Sequence, residues 1–213
     1  MSRGLKRVKT KTNMTRFLQC SLIVFVALLL FYPPGKAAAG DDFGVRLVKD
    51  IFDQLWDYQN KPAEGKKNVG FDIPEMVVNQ YIAYLIDSKT RVGVKAATIK
   101  ITGKNQVIVD CKLDLAQIRK WNPAAIKSDD PLAGKDALPV TATASVDITN
   151  GMAKISILSA ISMNGVSLDT IKALFRTVAM NQPEHFDIDK PIKLPFDLSV
   201  AMADGVVSGK TPQ

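Results

Sequence analysis

Val140-Thr141-Ala142-Thr143-Ala144-Ser145-Val146-Asp147-Ile148-Thr149-Asn150-Gly151-Met152-Ala153-Lys154-Ile155-Ser156-Ile157 is the stretch that decides the fold. Val140, Ala142, Ala144, Val146 and Ile148 alternate with Thr141, Thr143, Ser145, Asp147 and Thr149, which puts the apolar side chains on one face of a strand. Asn150-Gly151 supplies the positive φ angles of a two-residue type I′ turn. Ile155, Ile157, Ile161 and Met163 carry the strand that returns. A hairpin with one apolar face must lay that face on something, so an antiparallel sheet under a second layer is predicted. The outgoing strand is short of bulk. Its alanines either let a helix approach closely or leave room for an occupant.

The period of two extends upstream. Thr98-Ile99-Lys100-Ile101-Thr102 leads into a turn at Gly103-Lys104-Asn105. Val107, Val109, Cys111, Leu113 and Leu115 then alternate with Ile108, Asp110, Lys112 and Asp114, which predicts a second hairpin. Trp121 to Pro139 reads as a polar connection, with a helical turn expected after Leu115. Further upstream the period becomes 3.6. Asp41 to Asn60 reads as an amphipathic helix with Leu47, Val48, Ile51, Phe52, Leu55 and Trp56 as its stripe and Arg46, Lys49, Asp50, Asp53 and Asp57 opposite. After the breaker-rich loop Lys61 to Asn68, a second helix is predicted from Asp72-Ile73-Pro74-Glu75 to Asp87, carrying Val77, Val78, Tyr81, Ile82 and Leu85.

Downstream, Ser167 caps a third helix whose stripe is Leu168, Ile171, Leu174, Phe175 and Val178. Pro191 to Val200 reads as an edge strand because of its prolines, and Asp204-Gly205 starts a last turn. The order predicts the α+β class: a curved antiparallel sheet of hairpins packed against amphipathic helices.

Residues 1–39 have the order of a secretory signal: a basic stretch to Arg16, an apolar run from Phe17 to Tyr32, then Pro33-Pro34-Gly35-Lys36-Ala37-Ala38-Ala39. Cleavage after Ala39 leaves a single domain, 40–213, outside the cytoplasm, periplasmic or extracellular. An uncleaved leader tethers it to the membrane through residues 17–32, a run shorter than the roughly 20 residues of an ordinary span. Cys20 lies inside the apolar run, which is not where a lipoprotein attachment site falls.

The leader also explains the charge. Of 28 basic residues, Arg3, Lys6, Arg7, Lys9, Lys11, Arg16 and Lys36 lie in it, leaving 21 against the chain's 21 carboxylates. The body is formally neutral, so a nucleic-acid partner loses its electrostatic support.

Side chains suited to chemistry are few. Cys111 is the one cysteine outside the leader, and its apolar strand context reads as packing rather than as a nucleophile or metal ligand. His185 is the single histidine, placed just after the third helix, where the helix dipole favours it. Asp110 and Asp114 share a strand face about 13 Å apart, too far for an acid/base pair. Asp129-Asp130 suits a turn. Arg119-Lys120 beside Trp121 and the loop pair Lys66-Lys67 do not make a basic surface. Glycine loops for phosphate, nucleophile elbows and paired cysteines do not occur. No cofactor or metal is expected, and the inventory argues against an enzyme.

The C-terminal half has a recognisable cadence. An Asn-Gly hairpin leads into Ile161-Ser162-Met163-Asn164-Gly165-Val166-Ser167-Leu168, a helix follows, and then Pro191-Ile192-Lys193-Leu194-Pro195-Phe196. Over Phe71 to Val207 this resembles small extracytoplasmic bacterial domains of the tubular lipid-binding (TULIP-like) type. The resemblance implies a strongly curved sheet wrapped on a helix, a groove that holds acyl chains, and no catalytic residues. The aromatic helix Asp41 to Asn60 departs from that pattern; it would plug the groove or dock on a membrane.

Two expectations follow. A lipid or other hydrophobic molecule would bind in a groove lined by Val77, Tyr81, Leu85, Ala142, Ala144, Ile157, Ile161, Leu174, Phe175 and Val178. Alternatively, the protein is a structural or assembly component of the envelope whose first helix docks a partner protein through Phe52 and Trp56.

Overall fold

The computed structural model describes residues 43–62, 67–87, 93–127, 130–162, 165–181 and 187–212. Its elements in chain order are α1 (Phe43–Asn60), β1 (Gly70–Pro74), α2 (Glu75–Asp87), β2 (Val94–Gly103), β3 (Gln106–Asp114), α3 (Leu115–Trp121), β4 (Ala137–Thr149), β5 (Met152–Ser162), α4 (Leu168–Met180), β6 (Ile192–Lys193), β7 (Ser199–Ala203) and β8 (Val206–Lys210). The class is α+β: among the described residues, four α-helices accompany one open eight-stranded antiparallel sheet. The leader lies outside the described residues.

Three two-residue turns build the sheet. Lys104 and Asn105 (φ 53° and 58°), Asn150 and Gly151 (49° and 71°), and Asp204 and Gly205 (50° and 75°) all take the left-handed backbone that a type I′ hairpin requires. Along the sheet the strands run β1-β8-β7-β4-β3-β2, and β5 lies on the other edge of β4. β4 is long enough for β3 and β7 to share one of its edges in succession. β3 pairs along Ala137 to Ser145, and β7 takes over at Ile148 opposite Val200.

Asn105 fills the joint between them. Its backbone N–H donates to the Met202 carbonyl (3.1 Å), and its carbonyl accepts from Val146 N (2.8 Å). Its side-chain oxygen accepts from Met202 N (2.8 Å), and its amide donates to Asp147 Oδ1 (3.2 Å). One turn residue thus supplies the ladder bonds that would otherwise be missing where two strands meet a third.

β1 corrects the expected start of the second helix. Gly70 to Pro74 pairs with Lys210 to Val206, and the helix begins at Glu75. Leu115 likewise opens a helix instead of extending its strand, because the Asp114 carboxylate accepts from Gln117 N (3.0 Å) and caps it. Opposite Phe71, β8 carries Gly209, and a Cβ there would lie 2.0 Å from the Phe71 ring. The ring covers the glycine, so the strand keeps a filled surface without a side chain at that point.

All four helices contribute to a single apolar cluster with the sheet. Phe52 of α1 is 2% exposed, its ring 6.3 Å from Tyr81 of α2 and 6.4 Å from Phe196. Trp56 meets Phe196 edge-on at 6.4 Å, and Tyr81 stacks on Tyr84 at 6.1 Å. Lys49, expected on the polar side of its helix, is buried, with its ammonium 4.8 Å from the centre of the Tyr84 ring. Its stem covers apolar surface while the charge faces the ring's negative face.

The free edge of β2 is closed by side chains of α2. Asn79 Oδ1 accepts from Ile99 N (2.7 Å), and its amide donates to the Ile99 carbonyl (2.9 Å). Glu75 Oε2 accepts from Ile101 N (2.6 Å). An edge strand that would invite pairing is satisfied by a helix instead.

Candidate functional site

The helices bring most of the expected groove residues together. Val77, Tyr81 and Leu85 from α2, Leu174, Phe175 and Val178 from α4, and Ala142 and Ala144 from β4 are all buried in one cluster. The centre of the apolar sheet face is small. Val109, Ala142 and Ala160 lie side by side across three strands, with Val107, Ala144 and Ile157 in the next row. Tyr81, Phe52 and Phe175 are among the bulkiest fully buried side chains, and all three come from the helices. The layers therefore meet as large helix side chains over a low sheet surface.

Ile157 and Ile161 are separated by a feature the alternation does not reveal. The β4–β5 register slips between Thr143 and Ala144, which leaves Leu158 without a partner in the ladder. Before this bulge Ile155 and Ile157 face the core opposite Val146 and Ala144; after it Ile161 sits opposite Thr141. A single extra residue inverts the facing of everything beyond it. Ile157 is half-buried at the margin, whereas Ile161 is 73% exposed on the polar face, and Leu158 is 49% exposed. Ile161 is not brought together with the other nine.

Of the two residues expected to dock a partner, Phe52 is enclosed in the core and Trp56 keeps 38% of its surface in solvent.

Several of the remaining polar residues make structural contacts. Cys111 is buried, and desolvation followed by the negative charge of Asp110 pushes its thiol far up, so it stays protonated. Asp110 accepts a hydrogen bond from the Thr141 hydroxyl. Asp130 receives the Leu132 amide (2.8 Å) in the expected turn. Arg119 donates to the carbonyls of Leu132, Ala133 and Lys135 and holds that loop. Asp129 and His185 lie outside the described residues. Among the described residues, no group of three or more His, Cys, Asp or Glu could hold a metal ion.

Among the described residues, cavities open at the surface in at least two places. One, of about 590 Å³, lies over β1, β8, β7 and the end of β4, lined among others by Asp72, Thr149, Ala201 and Lys210. Another, of about 220 Å³, lies along the edge of β5 beside α4 and the segment 188–190. Of the ten expected groove residues, only Ile157 lines either one. Comparison with protein-family models, with curated proteins and with solved structures finds no match to this chain.

Proposed function

We propose that this protein is an exported, non-catalytic domain that binds lipid or another hydrophobic molecule between its sheet and its helices. It acts in the periplasm or extracellular space, and is tethered through residues 17–32 if the leader is retained. One observation carries the reading: a single apolar cluster that joins the bulky helix side chains Phe52, Tyr81 and Phe175 with the alanines at the centre of the sheet. An acyl chain entering there exchanges helix–sheet contacts for ligand–sheet contacts, so little apolar area returns to water while about 25 cal/mol is gained per Å² of ligand buried. α2 is pinned to the edge of β2 by Asn79 and Glu75. α4 lies on its apolar stripe of Ile171, Leu174, Phe175 and Val178 and is tied on its outer side by the Arg176–Asp189 pair. The resemblance to tubular lipid-binding domains supports the same reading.

The test is titration with a fluorescent fatty acid. Saturable binding at one per chain, displaced by unlabelled fatty acid and weakened by Ala144→Leu in protein that still unfolds cooperatively, supports the reading. Absence of saturable binding removes it.

A second reading has its own observation. Leu158 and Ile161 are exposed apolar residues at the β5 bulge, and an envelope partner would meet the protein there or at Phe43 and Trp56, the large apolar side chains that α1 exposes.

A further inference from the structure

The cavity at the β5 edge differs in character from the apolar interlayer. Lys154 of β5, Lys172 of α4 and Lys190 of the segment before β6 line it, with Ser156, Asp189, Ile155, Ile157 and Ile188. Three cations from three elements face one carboxylate in a body that is formally neutral overall. That carboxylate is already engaged: Asp189 takes a two-point pair from Arg176 (2.7 and 3.1 Å). Lys190 pairs with Asp187 at 2.8 Å, outside the lining. Among the described residues, Lys154 and Lys172 make no recorded ion pair, although Asp147 lies opposite Lys154 across the ladder. Within the lining three lysines stand against one carboxylate, with Arg176, Asp187 and, across the ladder from Lys154, Asp147 beside it.

Its remaining wall is a strand edge. β6 pairs with β5 only at Met152 and Ala153, so from Lys154 onward the outer edge of β5 pairs with no described strand. Such an edge presents backbone N–H donors at alternate residues, and Ser156 adds a hydroxyl. Lys154 and Ser156 on the polar face of β5, with Lys172 and Lys190 around the same strand edge, bring ammonium groups and a hydroxyl that suit a tetrahedral oxyanion. The volume is below the range of drug-sized pockets and fits a phosphate with a few attached atoms.

We propose that this cavity is a binding site for a phosphate group, either free phosphate or the headgroup of an acidic phospholipid, held by Lys154, Lys172 and Lys190. The site borders the apolar interlayer through Ile157 and α4, but its occupancy by phosphate does not require lipid there.

Isothermal titration of the full chain, as its bacterial host processes it, uses two probes at low ionic strength: inorganic phosphate and a short-chain phosphatidic acid below its micelle concentration. One-to-one binding of either is expected, weakened about tenfold for each of Lys154→Gln and Lys172→Gln, the loss of one charge-assisted hydrogen bond. The exposed pair Lys100→Gln and Lys112→Gln is expected to leave affinity unchanged. Binding of phosphatidic acid alone identifies a headgroup site, and binding of inorganic phosphate alone identifies a free-anion site. Absence of binding by both probes overturns the proposal, as does binding indifferent to Lys154 and Lys172 or equally weakened by the control pair. Phosphatidic acid that binds without regard to these lysines removes this site and leaves the apolar interlayer reading intact.

Discussion

Replacing Phe52 by alanine asks whether α1 belongs to the core or is an appendage available to a partner. A phenylalanine side chain buries on the order of 200 Å². At about 25 cal/mol per Å² that sets an upper bound near 5 kcal/mol, of which alanine retains a part. The vacated volume adds a cavity penalty, because the Tyr81 and Phe196 rings 6.3 and 6.4 Å away lose their common neighbour. Core Phe→Ala changes cost about 3–5 kcal/mol, and this site belongs in that range. A domain with about 5–15 kcal/mol of total stability loses about a fifth of it or more. Trp56→Ala, at a side chain 38% exposed with one aromatic neighbour, should cost less than half as much. Urea unfolding followed by far-ultraviolet circular dichroism reads both variants. If Phe52→Ala unfolds within about 0.5 kcal/mol of the parent, as a surface substitution would, the placement of α1 in the core is refuted.

Three further outcomes follow from the same contacts. Asn79→Ala removes both hydrogen bonds to Ile99 and should cost about 1–3 kcal/mol, nearer the lower figure because water reaches this edge; unchanged hydrogen exchange at the Ile99 amide would refute the edge closure. Cys111 should resist a disulfide reagent at pH 8.5 in the native protein and react once urea unfolds it, and rapid native labelling mapped to its peptide would contradict its burial. Because folding raises that thiol above its ordinary 9.0, its contribution to stability is complete below pH 9 and lost as pH rises beyond; a urea midpoint that increases between pH 9 and 10 would contradict the sign.

Hairpins were legible because their determinants are local. Asn150-Gly151 and Asp204-Gly205 announce positive φ within two residues, and the alternation around them assigns faces. The stripe of α1 was legible for the same reason, since helical spacing alone gathers Val48, Ile51, Phe52 and Leu55. β1 was not legible, because Gly70 to Pro74 becomes a strand through pairing with residues near 208, and its Asp-Ile-Pro-Glu run also suits a helix start. The bulge at Leu158 was hidden for a related reason: a register slip belongs to a pair of strands, and one strand read alone predicts Ile157 and Ile161 on the same side. Asn79 and the turn residue Asn105 each supply bonds to a strand distant in sequence, which no local pattern signals. The lysine-lined cavity draws on three elements, so no run of residues signals it.

The most direct test of the account is native mass spectrometry of the full chain, purified from a bacterial host without detergent stripping. Lipid or another apolar molecule retained at close to one per chain, and released when Ala144→Leu narrows the interlayer, is the predicted result. A clean unliganded mass under conditions that preserve the folded charge-state distribution would contradict hydrophobe binding and direct attention to a protein partner at Leu158 and Ile161.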